Sequence, residues 1–96
     1  MDIRHDLTGS RFIILNEDRV EKGRIIYDVQ ANGHLSALSV HVSADMQGQG
    51  AAGALLDALV AHARKHNLKI SPVCPYVVKK FAQYPEEYGD IIGPPV

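Results

Sequence analysis

Val42-Ser43-Ala44-Asp45-Met46-Gln47-Gly48-Gln49-Gly50-Ala51-Ala52 is the stretch on which the fold turns. It follows a segment that alternates like a β-strand and opens the one long amphipathic run of the chain, so it reads as a strand-to-helix junction. Two glycines and two alanines leave the backbone nearly bare where the helix begins. The first amides of a helix have no partner within it, and the helix dipole adds partial positive charge there. Bulky side chains would shield those donors, whereas Gly and Ala leave them open to the oxygens of an anion. The residues alone therefore point to a pyrophosphate cradle and a nucleotide-like ligand.

Upstream, the chain reads as a β-meander. Arg11 to Asn16 is a short apolar run, Asn16-Glu17-Asp18 a polar turn, and Val20 to Val29 a strand built around Ile25-Ile26-Tyr27. Asn32-Gly33 is a strong hairpin signal, because both positions favour positive φ in a two-residue turn. His34 to Val42 then pairs back, with Leu38, Val40 and Val42 on one face and Ser39 and His41 on the other. Downstream the period changes. Leu55, Leu56, Leu59, Val60 and Ala63 recur at helical steps between about Gly50 and His66, and Asn67 supplies a left-handed stop. Leu68 to Val73 is a short strand ending at Cys74. Pro75 suits the first position of a second helix, packed down by Tyr76, Val77, Val78 and Phe81, and Pro85 opens a last turn or short helix through Tyr88. Gly93-Pro94-Pro95 is expected to be a loose tail. The expected fold class is α/β (α+β), an antiparallel meander leading into a βαβ unit with a C-terminal helix. The βαβ unit makes its two strands parallel and puts their C-terminal ends on one sheet edge. That is the edge at which α/β sheets bind ligands, and His41, the cradle and Cys74 converge on it.

Size and composition narrow the surroundings. The 96 residues are expected to form one domain, residues 1–96, with an ordinary apolar fraction of 46% and a formal net charge of −1. No basic run supports a nucleic-acid surface, and no apolar stretch approaches the about 20 residues of a membrane span. Asp2, Arg4, His5 and Asp6 do not look like a signal peptide, and a single cysteine suits a reducing compartment. A cytoplasmic location is expected.

Gly48-Gln49-Gly50-Ala51-Ala52-Gly53 also satisfies the dinucleotide fingerprint G-x-G-x-x-G. A dinucleotide fold needs an acidic residue near the end of the following strand, and that strand carries Lys69, Ile70 and Ser71 instead. Taken from Val42, the same stretch resembles the acetyl-CoA motif of Gcn5-related N-acetyltransferases, a strand-end Val, a short spacer, then [RQ]-x-x-G-x-[GA]. Together with Pro72-Val73-Cys74-Pro75-Tyr76-Val77, Phe81 and Pro85-Glu86-Glu87-Tyr88, the chain resembles the very small YjdJ-type branch of that superfamily. The resemblance implies a minimal acetyltransferase that uses acetyl-CoA as cosubstrate, with no metal. It implies that the backbone of Gln47, Gly48, Gln49, Gly50, Ala51 and Ala52 holds the pyrophosphate, and that Val42 pairs with the pantetheine arm. Tyr76 would contact that arm or anchor its helix. The acceptor would be an amine, on a small molecule or a protein lysine. The helices that shape the acceptor site in larger members are missing, which leaves that site open or completed by another subunit.

Two residues are catalytic candidates. Cys74 stands before a helix N-terminus, where a thiolate is favoured, and would relay the acetyl group or protonate the departing CoA sulfur; the alternative is a small buried hydrophobe. The small branch carries His-Thr-x-Val where this chain has Ser39-Val40-His41-Val42. His41 lies two residues along on the same face and is the general-base candidate, or else a structural hydrogen-bonder beside Ser39. The displaced histidine and the missing helices also fit a CoA-binding regulatory module with little or no turnover. His62 and His66 have a metal-compatible spacing, but Ala63-Arg64-Lys65 between them lacks the zinc-protease glutamate, so they read as a solvated helix face. Lys79 and Lys80 meet CoA phosphates or face water.

Overall fold

A computed structural model of the chain describes residues 1–95. In chain order the strands are β1 (Asp2–Asp6), β2 (Arg11–Leu15), β3 (Glu21–Val29) and β4 (Leu35–Val42). A single 3-10 turn (Ala44–Met46) leads to α1 (Ala51–Lys65), followed by β5 (Ile70–Pro72), α2 (Pro75–Gln83) and α3 (Pro85–Tyr88). The five strands form one sheet in sequential order, antiparallel from β1 to β4 and parallel between β4 and β5. The α/β class and the βαβ unit are as the sequence predicts.

Alternation explains the core. Phe12 and Ile14 on β2, and Ile25 and Tyr27 on β3, turn one face of the sheet inward. Onto it α1 lays Leu55, Leu56, Leu59, Val60 and Ala63, all buried. Val77, Phe81, Tyr88 and Ile91 extend the same cluster from α2 and the segments after it. A fully buried Leu, Ile or Val contributes about 1.5–3 kcal/mol relative to an exposed one, so this stripe is what fixes α1, and with it the junction that α1 begins, against the sheet. On the opposite face Arg4, Ile13, Arg24 and His41 form one cross-strand row, half-buried or exposed.

Four local readings are corrected. Residues 2–6 form a strand, which the charged run concealed; Ile3 and His5 face inward there. At the hairpin only Gly33 is left-handed, at φ 88°. Gly33 N–H bonds the Gln30 carbonyl and Gln30 N–H bonds His34, which makes a three-residue loop and not the two-residue turn expected of Asn32-Gly33. The tail is tied down as far as Gly93, whose N–H meets the Ile70 carbonyl at 2.7 Å while Ile92 bridges Ile70 along the outer edge of β5.

The fourth correction positions the site. Ile26 pairs with Ser39 and Tyr27 with Ala37, leaving Leu38 as a bulge. Leu38 is therefore 41% exposed and falls outside the face that Val40 and Val42 share. Pairing of β4 with β5 runs only from Leu35 opposite Ile70 to Ala37 opposite Pro72. There Val73 and Cys74 both donate their N–H to the Ala37 carbonyl, at 3.1 and 2.9 Å, and the strands part. Bulges bend the strand that carries them, and this one sits where the parallel pair ends. From Leu38 to Val42 the β5 side of β4 is open.

Candidate active site

The junction above that gap has the geometry of a cradle. Gly48 and Gly50 take left-handed backbone angles, φ 82° and 76°, which other residues adopt at a cost. A Cβ built on either would meet no atom within 4 Å, so the space over their amides is open. Gly50 is the N-cap of α1, with no side-chain cap, and the first turn has no acidic residue. The donors that Ser, Asp or Glu usually satisfy at such a position are left for a ligand. Ala51 turns its methyl into the core at 3% exposure, so it does not crowd that space.

The loop is braced from beneath. Lys22 Nζ and Ser43 Oγ both bond the Asp45 carboxylate, at 2.9 and 2.6 Å. The Ser43 hydroxyl, and then Lys22, hold the Asp45 carboxyl below its usual range. Gln49 Nε2 reaches the Asp45 carbonyl at 3.3 Å, and Gln47 Nε2 the Val42 carbonyl at 3.5 Å. Ser43 donates its N–H to Lys22 on β3 at 2.8 Å. Because backbone groups alternate sides along a strand, those of Val42, and of Val40 two residues earlier, face the gap. A cleft of about 370 Å³ is lined there by Val40, His41, Val42, Gln47, Ala52 and Tyr76. The Tyr76 hydroxyl lies 3.7 Å from where a Cβ on Gly53 would stand, so α2 leans its tyrosine against the first turns of α1. Bare amides at one end of an open strand edge fit a diphosphate attached to an extended amide-bearing chain. The residues present thus fit acetyl-CoA.

The comparisons agree with this geometry. The family model described as GCN5-related N-acetyl-transferase matches residues 11–91. The chain belongs to the GCN5-related N-acetyltransferase family. It is accordingly an acyltransferase of the N-acetyltransferase type. Its fold superposes with a TM-score of 0.72 on the solution structure of a GCN5-like protein from Staphylococcus aureus assigned as an N-acetyltransferase. The two are 28% identical over 96% of this chain and 87% of that one. A ribosomal-protein-alanine N-acetyltransferase from Brucella melitensis biovar Abortus 2308 shares the fold at a TM-score of 0.53 and 20% identity; the match spans 76% of this chain and 59% of that one. A search of curated proteins found no match.

Within this acetyltransferase the predicted site residues do not all meet in one place. Val42, Gln47, Ala52, Tyr76 and His41 share the cleft; Gly48, Gln49, Gly50 and Ala51 do not line it and lie in the chain between its lining residues Gln47 and Ala52. Cys74 is the N-cap of α2 at the point where β4 and β5 part, 9% exposed within the apolar cluster, and it does not line the cleft. Val40 was missed as a lining residue, because the sequence carries no sign of the bulge that turns it to the gap.

A second group of histidines also escaped the sequence reading. His5 Nε2 sits 2.6 Å from the Tyr27 hydroxyl, and its ring stacks on Phe12 at 4.1 Å. His62 meets His5 edge-on at 4.7 Å and lies 4.6 Å from His66. His62 is thus half-buried in an aromatic cluster and not on a solvated face, and burial pushes His5 and His62 below the usual histidine value. No group of His, Cys, Asp or Glu among the described residues is arranged to hold a metal ion.

Proposed function

We propose that residues 1–96 act as one domain that moves the acetyl group of acetyl-CoA to an amine. The observation that carries this reading is the cradle of left-handed glycines standing at the mouth of the open β4 edge. Gln47 turns its N–H to the Ala44 carbonyl at 3.4 Å, so the amides of Gly48 to Ala52 would hold the diphosphate, and the backbone groups of Val40 and Val42 on the open edge would pair with the pantetheine arm as an added strand would. Bound acetyl-CoA supplies an activated acyl group, so the chain has chiefly to hold a neutral amine against it. His41 takes the proton that the amine must shed. A backbone N–H of β4 in the gap steadies negative charge developing on the acyl oxygen. Cys74, below the gap, hands a proton to the departing sulfur. The uncovered sheet face beside His41 leaves the acceptor free to be a small amine or a protein lysine, with a second copy of the chain able to complete that side. A cytoplasmic setting suits the coenzyme and the single free thiol.

Calorimetry with acetyl-CoA, followed by thiol release over a panel of polyamines and lysine peptides, tests the reading. Binding together with acceptor-dependent thiol release supports it. Binding with no release for any amine favours a regulatory module that only holds the coenzyme. Absence of binding overturns both.

A further inference from the structure

Tyr76, Lys80 and Tyr84 recur every fourth residue along α2 and its C-cap, and so share one face. The Lys80 ammonium is 5.8 Å from the Tyr76 ring centre and 5.1 Å from that of Tyr84. Its surroundings differ from those of most other cations. Arg4, Arg11, Lys22, Arg24 and Arg64 are each bonded to a carboxylate, whereas Lys80 has no such partner among the described residues. Two aromatic faces attract the ammonium and limit its wandering, yet they leave its charge uncompensated and available to an anion.

The position of that charge is informative. Tyr76 walls the cleft, and its hydroxyl stands beside Gly53, directly after the cradle. With the diphosphate over Gly48 to Ala52 and the pantetheine arm along β4, the ribose of the coenzyme would leave the cradle past the first turn of α1, against which Tyr76 leans. That ribose carries two further groups, a phosphomonoester at its 3′ position and a flat base. A cation held between a half-buried ring, Tyr76, and an exposed one, Tyr84, matches such a pair, because the ammonium meets the phosphate as a point charge and the exposed ring offers an apolar face to the base. We propose that Lys80, held between Tyr76 and Tyr84, is the subsite for the 3′-phosphate, so that this chain selects coenzyme A over its dephospho form. The proposal rests on the acetyl-CoA reading given above.

Calorimetric titration of CoA and 3′-dephospho-CoA into the wild type, Lys80→Gln, Lys80→Arg and Lys79→Gln tests it. The wild type should prefer CoA about fivefold, the upper end for an exposed ion pair, and the preference should shrink as salt is raised. Lys80→Gln should bring the ratio close to one, while Lys80→Arg and Lys79→Gln keep it. Equal affinities in the wild type, or a ratio unchanged by Lys80→Gln, overturn the subsite and leave the acetyl-CoA reading standing. A ratio lost equally in Lys79→Gln also overturns it, since that marks a general positive field. If neither ligand binds the wild type, the acetyl-CoA reading fails and the subsite with it.

Discussion

Replacing Gly50 with Glu tests the cradle most directly, provided that Gly50→Ala is measured beside it. At φ 76° any side chain pays for the left-handed backbone, by about 1 kcal/mol, and nothing within 4 Å adds a clash. The backbone strain is common to both variants, a fall of about 4–8 °C in Tm for a chain of this size, from which the Glu carboxylate at the N-cap of α1 recovers a part through the helix dipole. They differ in charge. A carboxylate about 5 Å from one phosphate charge is repelled by about 0.8 kcal/mol at the dielectric of water and about 3 kcal/mol at an effective dielectric of 20. Two such charges on the diphosphate make the smaller figure about 1.7 kcal/mol, so Gly50→Glu should bind acetyl-CoA at least about tenfold more weakly than Gly50→Ala. Thermal melts read the first quantity and calorimetry the second. Matching affinities for the two variants would refute the cradle, because the carboxylate brings both charge and bulk to the place where the diphosphate would sit.

His41→Asn should lower kcat about a hundredfold while acetyl-CoA affinity stays within about twofold; unchanged kcat, measured by thiol release, would remove His41 as the base. Cys74→Ala should lower turnover with binding retained, and no acetyl adduct should accumulate on the wild-type thiol by mass spectrometry; an adduct that disappears in the variant would replace direct transfer by a covalent relay. The histidine cluster predicts a pH effect on stability. His5 and His62 titrate lower in the folded chain than their unfolded value of about 6.5, chiefly through burial. The unfolded chain therefore takes up protons first, so stability is full above that value and falls as pH drops through it toward 5. The lowered carboxylates of Asp2, Asp6, Asp45 and Asp90 lose their contribution only below about pH 4, outside this window. Melts of the wild type and His62→Gln between pH 7.5 and about 5 check this; a variant as pH-sensitive as the wild type would assign the effect elsewhere.

What could be read from the residues follows from how local each signal is. The helix stripe from Leu55 to Ala63, the left-handed Asn67 and the prolines that open α2 and α3 act within a few positions, and they stand where expected. Gly48 and Gly50 advertise the cradle in the same way. The bulge at Leu38 does not, because it depends on how two strands share hydrogen bonds across the hairpin, and a leucine there looks like any core residue. That one unseen feature decides which β4 groups face the gap. The strand at residues 2–6 was hidden by Asp2, Arg4 and Asp6, which decorate only its outer side. His5 and His62, 57 positions apart, meet because β1 lies beneath the far half of α1, a neighbourhood that no local spacing encodes.

With acetyl-CoA held as proposed, the extra residue at Leu38 would also act as a depth stop. Because it sits where the parallel pair ends, its place along β4 determines how far a chain entering from the glycine end can penetrate before it meets the floor formed by Ala37, Val73 and Cys74. Each two-residue step of that stop along the strand would change the reach by about 6.6 Å, several bond lengths of an acyl tail. The tolerated size of the transferred group would then be coupled to a single insertion in the backbone.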